Sequence, residues 1–144
     1  KRKRAEAFWR VKTDLTLFIR KIQKYGFQSE SEYYLEFVFS NKKVLFRDKS
    51  KDIIEELKLP ENIGYFSNNS DKKADFSRKT TENGNFDKGF SIFLTDKNMG
   101  KIYYRISVST VNTMKYPVIS IYKAKKPITS DKNYLDDSLW TEEL

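Results

Sequence analysis

Arginine, lysine and tyrosine are the side chains here best suited to act on a partner, because the sequence contains no histidine and no cysteine. That absence removes Ser-His-Asp and Cys-His nucleophile arrangements, zinc-finger and zinc-protease motifs, and disulfides. No GxxxxGK[ST] or GxGxxG run occurs among the five glycines, so the usual phosphate-cradling loops are missing too. Carboxylate chemistry with magnesium remains, as do lysine, arginine and tyrosine acting on phosphates. Asp48, Asp52, Glu55 and Glu56 form the densest acidic group, but Lys49, Lys51 and Lys58 alternate with them as on a solvated helix face. Asp75, Asp87 and Asp96 read as loop or turn residues. No catalytic residue, metal ligand or cofactor is assigned.

The binding signals are stronger. The formal charge of +8 favours polyanions, although lysine-rich composition produces such a charge without selection for binding. Lys1 to Arg4 lead into Arg10, Lys12, Arg20, Lys21 and Lys24, with only Glu6 and Asp14 to offset them. Lys72, Lys73, Arg78 and Lys79 offer a second basic stretch. Tyr34, Arg47, Tyr103 and Arg105 fall on strand positions opposite the apolar stripes, where tyrosine and arginine serve stacking and phosphate contact. These residues point to a non-catalytic domain that binds nucleic acid or associates with nucleoprotein. Its affinity should fall with salt, and replacing Arg10, Arg20 and Lys21 by alanine should weaken it for all base sequences alike.

A second reading is a protein-interaction module, an adaptor, inhibitor or immunity-like protein, docking through the first helix or through Leu135, Leu139 and Trp140 near the carboxyl end. A histidine-independent nuclease is a minor third. No apolar run approaches the roughly 18 to 20 residues that cross a bilayer, and no secretion leader opens the sequence, so an intracellular, membrane-free setting is the default expectation.

The elements that must position these residues follow from periodicity. Phe8, Val11, Leu15, Phe18, Ile22 and Tyr25 share one helical face, with Gly26 placed to cap the helix after Tyr25. Glu32–Ser40 alternates as a strand, turns at Asn41-Lys42 and returns over Val44–Arg47. Ser50 is read as capping a short helix that carries Ile53, Ile54 and Leu57 inward and ends before Pro60. Residues 60–88 read as a long polar loop. Phe90–Thr95, Ile102–Val108 and Val118–Tyr122 read as three antiparallel strands, the first pair joined by a turn at Asp96–Gly100. The expected fold is α+β in two layers. An N-terminal amphipathic helix lies on a mainly antiparallel sheet of about five strands, in the order α-β-β-α-loop-β-β-β. Residues 1–124 form the domain, and 125–144 an acidic aromatic tail or short docking helix.

Overall fold

The computed structural model describes residues 2–29, 31–68, 75–81, 85–110, 118–129 and 133–143, without the side chains of Arg2, Phe27 and Ser29. The amphipathic pattern makes helix α1 (Arg2–Ser29), which buries Phe8, Val11, Leu15, Phe18, Ile19 and Ile22. The helix runs past Gly26, which is buried within its last turns and does not cap them.

Two antiparallel sheets receive this face. Strands β1 (Tyr34–Val38), β2 (Lys43–Arg47), β3 (Ile53–Lys58) and β5 (Phe76–Lys79) form one, in the order β3-β2-β1-β5. Strands β4 (Ile63–Ser67), β6 (Phe90–Asp96), β7 (Lys101–Ser109), β8 (Val118–Thr129) and β9 (Trp140–Glu143) form the other, in the order β4-β6-β7-β8-β9. The fold is thus α+β, with one helix on antiparallel sheets, and nine strands are described where about five were expected.

The amino-terminal half of α1 lies on the five-stranded sheet, where Phe8 meets the rings of Tyr103 and Tyr104. Its carboxyl-terminal half lies on the four-stranded sheet, where Tyr25 packs edge-on against Tyr33 and Phe46. Phe37 and Phe76 touch Phe90, so the inner faces of both sheets share one core beneath the helix. Each fully buried large side chain of that core, such as Phe37, Phe46 or Ile92, contributes about 1.5 to 3 kcal/mol.

Three sequence expectations are corrected. The segment expected to be a helix from Ser50 is the turn before β3 and β3 itself, paired with β2 from Lys43↔Lys58 to Phe46↔Glu55. β-Branched Ile53 and Ile54 favour extended backbone, and Glu55 and Leu57 alternate in burial with Glu56 and Lys58. The acidic group of Asp48, Asp52, Glu55 and Glu56 therefore lies on a turn and a strand, not on a helix face. Within 60–88, expected as one long polar loop, Ile63, Tyr65 and Phe66 belong to strand β4 and Phe76 to strand β5. The tail docks as a strand, not a helix. After a 3-10 turn at Asp137–Leu139, β9 pairs with β8 through Ala124↔Trp140 and Ile121↔Glu143. β8 itself runs through the expected 124/125 boundary to Thr129.

Candidate nucleic-acid interface

The face of the four-stranded sheet that points away from α1 carries the densest meeting of the expected binding residues. Leu35 and Phe37 of β1, and Val44 and Phe46 of β2, are turned into the core, so alternation sends Tyr34, Glu36, Lys43 and Arg47 outward. Tyr34 stands directly opposite Arg47 on one side and Lys79 on the other. Lys79, Tyr34 and Arg47 thus form one cross-strand row. The next row is Ser77, Glu36, Leu45 and Glu56, and beyond it Lys43 stands opposite Lys58.

The β2–β3 turn orders this row. Asp48 accepts from the Asp52 amide through Oδ1 at 3.0 Å, and its own amide donates to the Asp52 carbonyl at 2.9 Å. Lys51, in the left-handed region at φ 72°, closes the turn by donating its amide to the Asp48 carbonyl at 2.9 Å. That conformation brings the Lys51 ammonium over the Tyr34 ring, 3.9 Å from its centroid. Arg47 Nη1 donates to the Lys51 carbonyl at 2.8 Å, and Arg47 Nε donates to Glu36 Oε1 at 2.9 Å. The guanidinium is thereby fixed in direction. Lys43 is within 3.7 Å of Glu56, while Lys58 and Lys79 are exposed. Lys43 was not singled out from the sequence, and Lys51 and Lys58 were read there only as part of a solvated helix face. The signal for Lys58 was the period-two alternation of residues 55–58, which the helical reading of that segment concealed.

The remaining expected residues are dispersed. Lys12 is committed to Glu143 at 2.9 Å and to the Tyr104 ring at 3.9 Å, with its side chain only 16% exposed. Lys21 donates to Glu55, a contact that raises its pKa. Arg4 lies over the Tyr103 ring at 4.7 Å, and Arg10 pairs with Asp14 at 4.0 Å. Arg20 donates to Gln23, while Lys24 is exposed on the same helix. Arg78 covers Phe76 and Phe90 and donates to the Gly89 carbonyl. Burial lowers its pKa, the mark of a packing arginine. Lys72 and Lys73 lie outside the described residues.

Tyr103 and Arg105 face opposite ways, although two-residue alternation would put them together. Leu94 pairs with Tyr104 and Thr95 with Ile102, so Tyr103 is an inserted bulge residue. It packs toward α1, while Arg105 projects from the outer face of the five-stranded sheet over Tyr122 and Phe93, its Nε donating to Ser107 at 2.9 Å. Trp140 is buried in a second core with Phe66, Phe93, Ile102 and Ile128, and its Nε1 donates to the Tyr134 carbonyl at 2.8 Å. Leu139 packs against that core and Leu135 is exposed.

Among the described residues no acidic cluster has the geometry to hold a metal ion, and no helix is long and apolar enough to cross a membrane. No family model, curated protein or solved structure matches the chain.

Proposed function

We propose that this chain is a non-catalytic nucleic-acid-binding domain that takes single-stranded segments on the outer face of its four-stranded sheet. The observation that carries this reading is the row Lys79–Tyr34–Arg47, an aromatic ring held in register between two cations. The outer cations stand two strand spacings apart, about 10 Å, which suits phosphates on either side of a base that takes the place of the Lys51 ammonium on the ring. Lys51, Lys43 and Lys58 surround the row and add positive potential. The arrangement reads backbone and ring stacking rather than base edges, so it favours single strands with little sequence preference.

This reading favours the sheet residues over α1 and the 72–79 stretch, which the sequence had offered beside them. On α1, Lys12 and Lys21 are bound to carboxylates and Arg4 to a ring; on the sheet Arg47 and Lys43 are paired too, with Glu36 and Glu56, but they stand with Lys51, Lys58 and Lys79 around one aromatic side chain.

The test is fluorescence anisotropy of labelled single-stranded DNA, single-stranded RNA and duplex DNA at two salt concentrations. Single strands should bind more tightly than duplex, and log K should fall with log salt by about 0.7 for each phosphate contacted. Flat titrations at low salt would sink the proposal, as would a preference for duplex.

A further inference from the structure

The solvent side of α1 poses a separate question. Trp9 and Leu17 are each 64% exposed, two turns apart on one stripe of the helix. Single exposed apolar residues need no explanation, but these two stand in a pattern. Glu6, Trp9, Thr13, Leu17, Arg20 and Lys24 follow one another at steps of three and four residues, the spacing of a helix-packing seam. This seam lies on the helix face opposite the one buried against the sheets, and among the described residues the chain's own fold leaves its two large apolar side chains, Trp9 and Leu17, exposed, while Arg20 keeps its bond to Gln23. Beside it, Trp9, Thr13, Thr16 and Leu17 line a groove of ≈ 750 Å³, walled by Ile121 of β8 and by Glu142 and Glu143 of the edge strand β9.

We infer that this seam is a self-association face, on which a second copy of the chain packs its own α1 antiparallel. The seam is self-complementary in that orientation and in no other. With Thr13 on the two-fold axis, Trp9 falls opposite Leu17 of the other copy, and Glu6 opposite its Arg20. The two-fold repeats each contact. Thr13 meets only itself, and its small side chain allows the helices to approach. In a parallel pairing Glu6 would meet Glu6 and Arg20 would meet Arg20, so charge selects the antiparallel arrangement. Lys24 faces the basic first turn of the other copy, a like-charge contact at the exposed ends where salt screens it. One helix pair is a small interface, so the dimer belongs to the weak, transient class.

The absence of cysteine makes the geometry directly testable. Sedimentation velocity of the full chain from about 1 to 300 μM should show a concentration-dependent dimer, weak as its interface class implies. Trp9→Ala should abolish it without unfolding the chain, since that ring is exposed. Glu6→Arg and Arg20→Glu should each be monomeric alone, yet dimerise when mixed, because positions 6 and 20 then meet opposite charges at both ends of the seam. Thr13→Cys should form a disulfide-linked dimer under mild oxidation, and Lys24→Cys should not. A chain that stays monomeric throughout the range, a dimer that survives Trp9→Ala, or cross-linking at Lys24→Cys in preference to Thr13→Cys would each overturn the inference. None of these readouts depends on nucleic-acid binding.

Discussion

Tyr34 is the residue on which the proposed function turns, and its setting is local. The register places cations on both sides, and the Asp48–Asp52 turn holds Lys51 against its ring. Loss of one base–aromatic stack costs about 1 to 3 kcal/mol, so Tyr34→Ala should weaken single-strand binding by roughly 5- to 150-fold. Tyr34→Phe should leave it nearly unchanged, since the ring and not the hydroxyl does the stacking. Isotherms for both variants beside the wild type check this. Tyr34 and Arg47 were legible as candidates, because alternation along a strand shows which side chains leave the core, whereas Lys79 was legible only as part of a basic stretch in an expected loop. Their convergence was not legible, since it depends on which strands are neighbours. A different phenol governs alkaline stability. Tyr65 is buried and donates to the Pro60 carbonyl at 2.7 Å, and burial raises its pKa well above the ordinary value. The unfolded chain therefore releases this proton first, near pH 10, while the folded chain keeps it. Stability is fully present below about pH 10 and is lost as pH climbs beyond it. Denaturant midpoints from pH 8 to 11 should fall above pH 10 in the wild type and fall less in Tyr65→Phe.

At the scale of elements, α1 was readable from its long, unmixed period, although its end beyond Gly26 was not, and the β6–β7 hairpin from its alternation and a matching turn. Asp96 closes that hairpin by accepting from the Gly100 amide at 2.7 Å, as the turn residues suggested. β3 was misread because Ile53, Ile54 and Leu57 fit a helical spacing over so short a stretch, and the partner strand that decides the matter is elsewhere in the sequence. Strand β4 was hidden among polar neighbours, yet it packs closely. A Cβ on Gly64 would come within 2.7 Å of the Asp96 carbonyl oxygen and 2.8 Å of Met99 Cγ, and would also meet Thr95 Oγ1. Gly64→Ala should therefore destabilise by about 1 to 3 kcal/mol through overpacking. At Gly100 an added Cβ meets only Asp96 carboxylate oxygens, at 3.6 and 3.8 Å, so Gly100→Ala should be neutral or stabilising by about 0.4 to 1 kcal/mol. Urea unfolding of the two variants separates them. The bulge at Tyr103 shows the same limit of sequence reading, since one inserted residue reverses the facing of all that follows and leaves no mark on composition.

For the whole molecule, one helix divides the surface between two uses. Its buried face unites two sheets over a single core, its outer seam is matched to a second copy, and the sheet face on the far side presents the cationic row. The formal charge of +8 was visible at once, but only the fold shows which cations are spread along α1 and which gather around Tyr34. The most direct measurement compares two charge-neutralised variants, Arg47→Gln with Lys79→Gln on the sheet and Lys3→Gln with Arg10→Gln on the helix, in anisotropy titrations across salt. The sheet variant should lose affinity for single strands and reduce the salt slope by about 1.4, or 0.7 for each phosphate contact removed, while the helix variant keeps the wild-type slope. The reverse outcome, a slope lowered by the helix variant and untouched by the sheet variant, would contradict the account and return the phosphate contacts to α1.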